Sequence, residues 1–352
     1  MHLLPCRYRL TGAAHRDKAE QEPPHAVQGG RGCHDRETPD VNYIDDLEAD
    51  WSGIPNPVVT LGNFDGIHLG HQKIFEHLKH RAGALGGRAV VITFFPHPLR
   101  VLAPERAPKL ITTLEERLQL MELHGIDLVI CIRFTKEFAR WSAQRFVKAV
   151  IVDKLRAKAL YVGMDYRFGK DRHGGIGLLR DMGRQFGFDV EIIQPVKVED
   201  LEVSSTRIRR LISAGDVRES SRLLGRFHRI HGRVVRGDGR GKALGFPTAN
   251  IATEAELIPA EGVYAVRVSM GEGCHDGVAS LGTNPTFSGR HFSIEAHILD
   301  FAQDIYGAEL SLEFVDRIRG QKKFPDPEAL ARQIQDDVEK ARELLAGVPQ
   351  KK

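Results

Sequence analysis

Between residues 58 and 196, apolar runs alternate with amphipathic stretches. The runs VVTLG, RAVVITFF, DLVICIRF, KALYVG and DVEIIQPV are short and rich in Val and Ile, the pattern of strands buried on both faces. Two intervening stretches carry a helical period. In TTLEERLQLMELHG, Thr113 and Glu116 are spaced for a capping box and Gly125 for a stop. In SAQRFVKAVIVDKL, Ser142 stands where a cap belongs. Strands separated by helices predict an α/β domain built on a parallel sheet, and such sheets bind ligands at the carboxyl ends of their strands. The turn at 62–71, between VVTLG and the amphipathic HQKIFEHLKHRAGAL, falls at such an end.

After about Gly225 the pattern changes. HRIHGRVVRGD, GVYAVRVSM, HDGVASLG and FSIEAHILD are brief β runs between Gly, Asn and Pro turns, which predicts a small antiparallel barrel or sandwich. The stretch DPEALARQIQDDVEKARELLAG opens on Asp326 as N-cap and Pro327 as first helical residue, and ends in Gly347; it predicts a closing helix. No repeat links the two halves. Residues 1–41 show no sustained apolar period and cannot bury enough surface to offset the entropy of ordering them. The expected organisation is a disordered tail over 1–41, an α/β domain over 42–224 and a β domain over 225–352.

Composition changes this picture little. The 352 residues are 41% hydrophobic and 28% charged, enough for about two domains with cores of their own. A net charge of +3 gives no general case for a nucleic-acid partner. No apolar run approaches the roughly 20 residues of a membrane helix, and the opening MHLLPCRYRL is too interrupted for a secretory signal. Cys6, Cys33, Cys131 and Cys274 form no C-x-x-C pair and read as free thiols of a reducing cytoplasm.

Candidate chemistry concentrates in three segments. At His68-Leu69-Gly70-His71 the turn enters a helix, whose free N–H groups and dipole favour a phosphate. Gly66 and Gly70 let backbone approach a ligand closely, and two imidazoles can donate hydrogen bonds to phosphoryl oxygens. H-x-G-H alone is equally the pattern of two surface histidines at a helix start. SSTRIRR, at 204–210, offers hydroxyls and N–H groups at another helix start with Arg209 one turn in; this is an anion site or simply a capped basic helix. GRVVRGDGRGKALGFPTANI, at 232–251, is a Gly-rich loop that adds the charge of Lys242 and the neutral oxygens of Thr248 and Asn250, groups that accompany Mg²⁺ and phosphate. It does not satisfy the Walker A pattern, and without other information it is also a hairpin with a Gly-rich turn.

GNFDGIHLGH, at 62–71, resembles the signature of the nucleotidylyltransferase superfamily. In particular it is similar to the adenylyltransferase half of the prokaryotic bifunctional riboflavin kinase/FAD synthetase family. TFFPHP (93–98), VGMDYRFG (162–169) and VSSTRIR (203–209) resemble that family's next three motifs, in order. GFPTAN resembles the riboflavin kinase motif, and GVYAVRV, LGTNPTF, IEAHILDF, Tyr306-Gly307 and IRGQKKF continue the match, which runs from about 58 to 347.

The resemblance implies a Rossmann-like nucleotidylyltransferase domain followed by a riboflavin kinase-like antiparallel β-barrel with a closing helix. It implies that His68 and His71 stabilise the transition state as the FMN phosphate attacks the α-phosphorus of ATP. It places Gly62, Asn63, Phe64, Gly70, Ser204, Ser205, Thr206 and the catalytic Arg209 around ATP, and Pro96, His97 and Asp165 against the flavin; Asp165 alone would read as a turn residue. In the second half it implies nucleotide contacts at Lys242 and Gly245, Mg²⁺ on Thr248 and Asn250, and Glu295 as base for the riboflavin 5′-hydroxyl. In FSIEAHILD, Ile294, Ala296 and Ile298 alternate onto one face and leave Glu295 and His297 on the other. Without the resemblance that face would simply be solvent.

The expectation is a cytoplasmic bifunctional enzyme, a monomer or weak homo-oligomer. It would act on riboflavin, FMN and FAD with ATP and Mg²⁺, and have no nucleic-acid or membrane partner. One rival is adenylylation of another phosphorylated acceptor, such as phosphopantetheine or nicotinamide mononucleotide, but chains of that kind lack the GFPTAN half. Another is a non-catalytic flavin-binding regulator, against which stands the joint retention of His68, His71, Arg209, Thr248, Asn250 and Glu295.

Overall fold

The structure, a computed structural model, describes residues 42–348 except 46, 48, 52, 238–240, 242, 243, 272, 287 and 288. The expected tail over 1–41 and the candidate Lys242 lie outside the described residues. Each of the five apolar runs becomes a strand: β2 (Val58–Leu61), β3 (Ala89–Phe95), β4 (Leu128–Arg133), β5 (Ala159–Gly163) and β6 (Asp189–Ile193). A short β1 (Asn42–Ile44) precedes them and pairs with β4; three residues are too few to show a period, and the sequence did not announce it. All pairings are parallel, in the order β1-β4-β3-β2-β5-β6. The chain winds outward from β2 through β3 and β4, then returns to start again at β5. The boundary between β2 and β5 is where the winding reverses, the place where such sheets open a crevice.

Alternate residues of these strands feed two cores. Val59, Leu61, Val90, Ile92 and Ile130 face one, and Val58, Val91 and Val129 face the other, as the two-sided burial predicts. Helices α1 (Leu69–Ala84), α2 (Pro98–Leu102), α3 (Leu114–Leu123), α4 (Lys136–Ala139), α5 (Ala143–Phe146) and α6 (Ile176–Phe186) lie between or beside the strands. The α3 capping box forms: Glu116 N–H donates to Thr113 Oγ1 at 3.1 Å, and Thr113 N–H to Glu116 Oε2 at 2.8 Å. Ser142 caps α5 by accepting from Arg145 N–H. The expected regular helix after it is corrected, because Val147–Lys154 is π-helical, with Leu155 N–H bonded to Val150 O. Val147, Val150 and Ile151 all stay buried in this wider turn, so packing of a β-branched run overrides the α-helical spacing.

A hairpin of β7 (Lys197–Val198) and β8 (Leu201–Glu202) leads into α7 (Ser205–Ala214) and α8 (Val217–Leu224). Then come β9 (His228–Val235), β10 (Ala249–Ala252), β11 (Gly262–Met270), β12 (Gly273–Thr286), β13 (Gly289–Ile298) and β14 (Glu309–Arg319). They form a closed barrel in the order β10-β13-β12-β11-β14-β9, sealed where β10 pairs antiparallel with β9. Closure removes the exposed edges of a sandwich. Strand β14 was not among the expected runs, although its Leu310, Leu312 and Phe314 alternate into the barrel core with Ile230, Val266, Leu281 and Ile294. Helix α9 (Pro327–Ala346) is capped by Asp326, which accepts from Ala329 N–H at 2.7 Å. It covers the outside of the barrel, packing Val338, Ala341 and Leu345 on Val263, Ala265 and Val315. Arg319 of β14 clasps Asp337 of α9 through Nε and Nη2.

Helix α8 packs on β14 and β9, and its Val217 belongs to the barrel core. The two halves also touch through Glu256, which accepts from Leu110 N–H at 2.9 Å and pairs with Arg100. No helix among the described residues is long and apolar enough to cross a membrane.

Candidate functional site

The crevice at the winding reversal is a cleft of about 240 Å³. Its walls are the residues that follow the carboxyl ends of β2, β5 and β6, closed by Glu202 and Val203 just ahead of α7. Gly62, Asn63, Phe64, His68, Gly70 and His71 line one side, and Asp165 lines the other. Every residue expected here from the first motif is present.

The turn is held in a costly shape. Phe64 and Ile67 both have positive φ, 48° and 38°, and both are buried; side chains of this bulk rarely adopt that backbone. The two imidazoles stack with centroids 3.6 Å apart, and the Phe64 ring meets His71 edge-on at 5.1 Å. Gly70 makes room for the stack, since a Cβ there would press on the His68 ring at 3.2 Å. Burial pulls the His68 pKa down to about 4. Burial and the adjacent His68 hold His71 well below the usual histidine range. Both rings are neutral near pH 7, and the Nδ1 of each is buried without a hydrogen-bond partner. Helix α1 starts here with no side-chain cap and no acidic residue in its first turn, which leaves its N-terminal end suited to an anion.

The fourth motif reaches the same turn. Ser204 caps α7 by accepting from Arg207 N–H, and Ser205 Oγ donates to Asp65 O at 2.9 Å. Thr206 is exposed at the helix start. Arg209 Nη2 donates to Asp65 Oδ2, and its Nε donates to Lys109 O. His97 sits at the edge of the cleft, its Nε2 3.1 Å from the Asn63 carboxamide nitrogen, while Leu99 N–H donates to its Nδ1. Burial, and then Arg209, lower the His97 pKa. Pro96 follows Phe95 through a cis peptide and, like His97, is not part of the cleft wall.

Two residues that sequence reasoning passed over organise this side. Asp65 is buried and accepts from the Ile111 and Thr112 backbone N–H groups as well as from Arg209. Its signal was its place inside a buried turn, where a carboxylate requires donors. Arg117 is also buried and donates through Nη1 to Asn63 O at 3.0 Å. Its spacing from Leu114 and Met121 put it on the apolar stripe of α3, a position that a surface arginine would not occupy.

The barrel carries the second group. Ile294, Ala296 and Ile298 point inward, so Glu295 lies on the outer wall, as the alternation predicts. Glu295 faces Asn250 across the β13–β10 pairing. Thr248 Oγ1 donates to Glu295 Oε2 and Ser293 Oγ to Oε1, both at 3.4 Å. A Cβ at Gly237 would overlap the Asn250 carboxamide, and one at Gly241 would meet Phe246 O and Thr248. Gly237 and Gly241 thus approach the Asn250 and Thr248 side chains closely, with Gly245 exposed at φ +87°. Four oxygen-bearing side chains, Thr248, Asn250, Ser293 and Glu295, separated by up to 47 residues, converge on one patch.

Residues 53–207 match the family model described as FAD synthetase, and residues 224–345 match the model described as riboflavin kinase. A protein of Escherichia coli named bifunctional riboflavin kinase/FMN adenylyltransferase is 38% identical over 82% of this chain and 92% of its own. A protein of Pseudomonas fluorescens with the same name is 40% identical over 82% and 93%. A crystal structure titled as a macrolide-efflux protein of Streptococcus pneumoniae is 35% identical, with a TM-score of 0.77, over 86% of this chain and 99% of that one. Two models matched in order, and relatives that share both halves, establish that the chain belongs to the bifunctional riboflavin kinase/FMN adenylyltransferase family, a kinase and an adenylyltransferase on one polypeptide.

Proposed function

We propose that riboflavin is phosphorylated on the outer wall of the barrel, in the half from 225 to 352, and that FMN is adenylylated in the cleft of the half from 42 to 224, with α8 shared between them. The observation that carries the kinase assignment is the Thr248–Glu295 contact opposite Asn250. Glu295 accepts the proton of the riboflavin 5′-hydroxyl as its oxygen attacks the γ-phosphorus of ATP, the bond to the bridging β–γ oxygen breaks and ADP leaves. Among the described residues no group of three or more His, Cys, Asp or Glu side chains could hold a metal. A neutral hydroxyl and carboxamide beside one carboxylate instead suit a hard cation that keeps water and phosphate oxygens as its other ligands. Thr248 and Asn250 would hold Mg²⁺, which supplies charge neutralisation at the β- and γ-phosphates.

In the cleft, His68 and His71 are neutral donors aimed at phosphoryl oxygens, and the open start of α1 favours the same anion. The α-phosphorus of ATP accepts the FMN phosphate oxygen and diphosphate leaves. Ser204, Ser205 and Thr206 bring a second helix start to the phosphates. Arg209 serves them from its anchorage on Asp65. Gly62, Asn63, Phe64 and Gly70 shape the ATP side. Pro96, His97 and Asp165 approach the flavin, and Gly245 the kinase nucleotide. The chain works in the cytoplasm, in keeping with free Cys131 and Cys274 among the described residues, as a monomer or weak homo-oligomer.

Incubation with riboflavin and MgATP, followed by separation of FMN and FAD, tests the whole reading. His71→Ala should stop at FMN, and Glu295→Gln should make FAD only from supplied FMN. Loss of both products in both variants would refute the division of labour.

A further inference from the structure

We propose that the joint between the two halves, Leu224-Gly225-Arg226, is part of the adenylyl-transfer site, and that Gln72 and Arg226 are positioning residues for the His68–His71 turn. The proposal rests on the assignment of adenylyl transfer to that turn. Its starting point is Ile67, the residue before His68. Ile67 is fully buried at φ +38°, an unfavourable backbone for a β-branched side chain that the surroundings must enforce. Its carbonyl accepts from two side chains, Gln72 Nε2 at 2.9 Å and Arg226 Nη1 at 3.4 Å.

Gln72 lies one turn beyond His68 in α1. The same amide nitrogen donates to Leu224 O, also at 2.9 Å, at the last residue of α8. One NH₂ group thus spans two carbonyls 157 residues apart, Ile67 in the catalytic turn and Leu224 at the entry to the barrel. The next residue, Gly225, is left-handed at φ +73°, and a Cβ there would stand 2.7 Å from Leu69 Cδ2. Leu69 is the residue that follows His68 in H-x-G-H. Arg226 completes the joint from the barrel side, in contact with Ile67 O.

Three contacts therefore press the joint onto the turn from one side: the Gln72 bridge, the Arg226 guanidinium and the close approach of Gly225 to Leu69. The histidines inherit their placement from it. Misplacement by about 1 Å can cost a bound reaction up to about 10²-fold, whereas the kinase site uses none of these residues.

The test uses the full chain with supplied FMN and MgATP. Gln72→Met keeps the length and removes both hydrogen bonds. Its kcat for FAD formation should fall about tenfold or more, with the KM of FMN and ATP within about twofold of the parent. Riboflavin phosphorylation in the same preparation should be unchanged, which shows that the barrel is folded, and a melting temperature of the α/β half well above that of the assay shows the same for the half that carries Gln72. A brace that serves stability alone would lower the melting temperature and leave kcat at parental value well below it; that result overturns the proposal. His71→Ala is measured alongside. If it retains FAD synthesis, the turn is not the site and the proposal falls with that reading; if it is inactive while Gln72→Met is normal, the proposal alone falls. Should Gln72→Met also lose kinase activity, Arg226→Lys, which keeps the charge but shortens the reach to Ile67 O, decides the matter. A parental kcat for FAD formation in a folded Arg226→Lys chain overturns the proposal.

Discussion

Arg209 donates to Asp65 across 2.6 Å, with the carboxylate side chain 2% exposed and the guanidinium side chain 17%. The pair ties the first motif to the fourth, 144 residues apart. Asp65 also holds the backbone N–H groups of Ile111 and Thr112, so its loss strands a partly buried cation and two buried donors together. Breaking one partner of such a pair costs about 3–5 kcal/mol. Asp65→Ala should lose about that much stability in urea unfolding of the α/β half, and an unchanged midpoint would contradict the structural weight given to the pair.

Acid should destabilise the fold through its buried histidines. Burial lowers His68 and His228 to about 4 and holds His71 well below its usual range. The unfolded chain takes up these protons near pH 6.5 and the folded chain does not, so stability is full above that pH and lost as pH falls toward 4. For His228 alone, which sits deep beside Phe314, the loss approaches about 3 kcal/mol at pH 4. Urea midpoints measured at pH 7.5, 5.5 and 4.5 should decline in that order. A flat series would mean that these imidazoles are charged in the folded state.

Replacing Glu295 by Gln keeps size and hydrogen bonding but removes the proton acceptor. FMN formation should fall by about 10²–10⁴-fold, while supplied FMN is still converted to FAD. Normal riboflavin phosphorylation would leave Glu295 as a surface residue of β13 and nothing more.

Gly237→Ala should damage the kinase alone. The added methyl overlaps the Asn250 carboxamide, so either the loop or Asn250 must move, and MgATP affinity should weaken. A KM for MgATP equal to the parent's would show that the loop yields without disturbing Asn250.

Helix α8 sets where the barrel can be cut. A fragment starting at Asp216 keeps Val217 in the barrel core and should fold and make FMN but no FAD. One starting at Gly225 loses that contact and should melt at a lower temperature. Equal melting temperatures would show that α8 adds nothing to the barrel.

The sequence by itself determined five parallel strands, the helix caps and the outward face of β13. Five Val- and Ile-rich runs became the parallel strands, Thr113 and Glu116 formed their capping box, and the alternation in FSIEAHILD put Glu295 on the outer wall. These features are local, set by periods of two or of three to four residues and by the donors one turn away. Tertiary structure decided what distance along the chain conceals. It closed the β runs into a barrel through the β9–β10 pairing, and turned 147–154 into a π-helix. It also placed Asp65 under Arg209, Arg117 under Asn63, and Gln72 between Ile67 and Leu224. Such contacts are invisible in a linear pattern because a buried polar group takes whichever partner packing brings within about 3 Å, however remote in sequence.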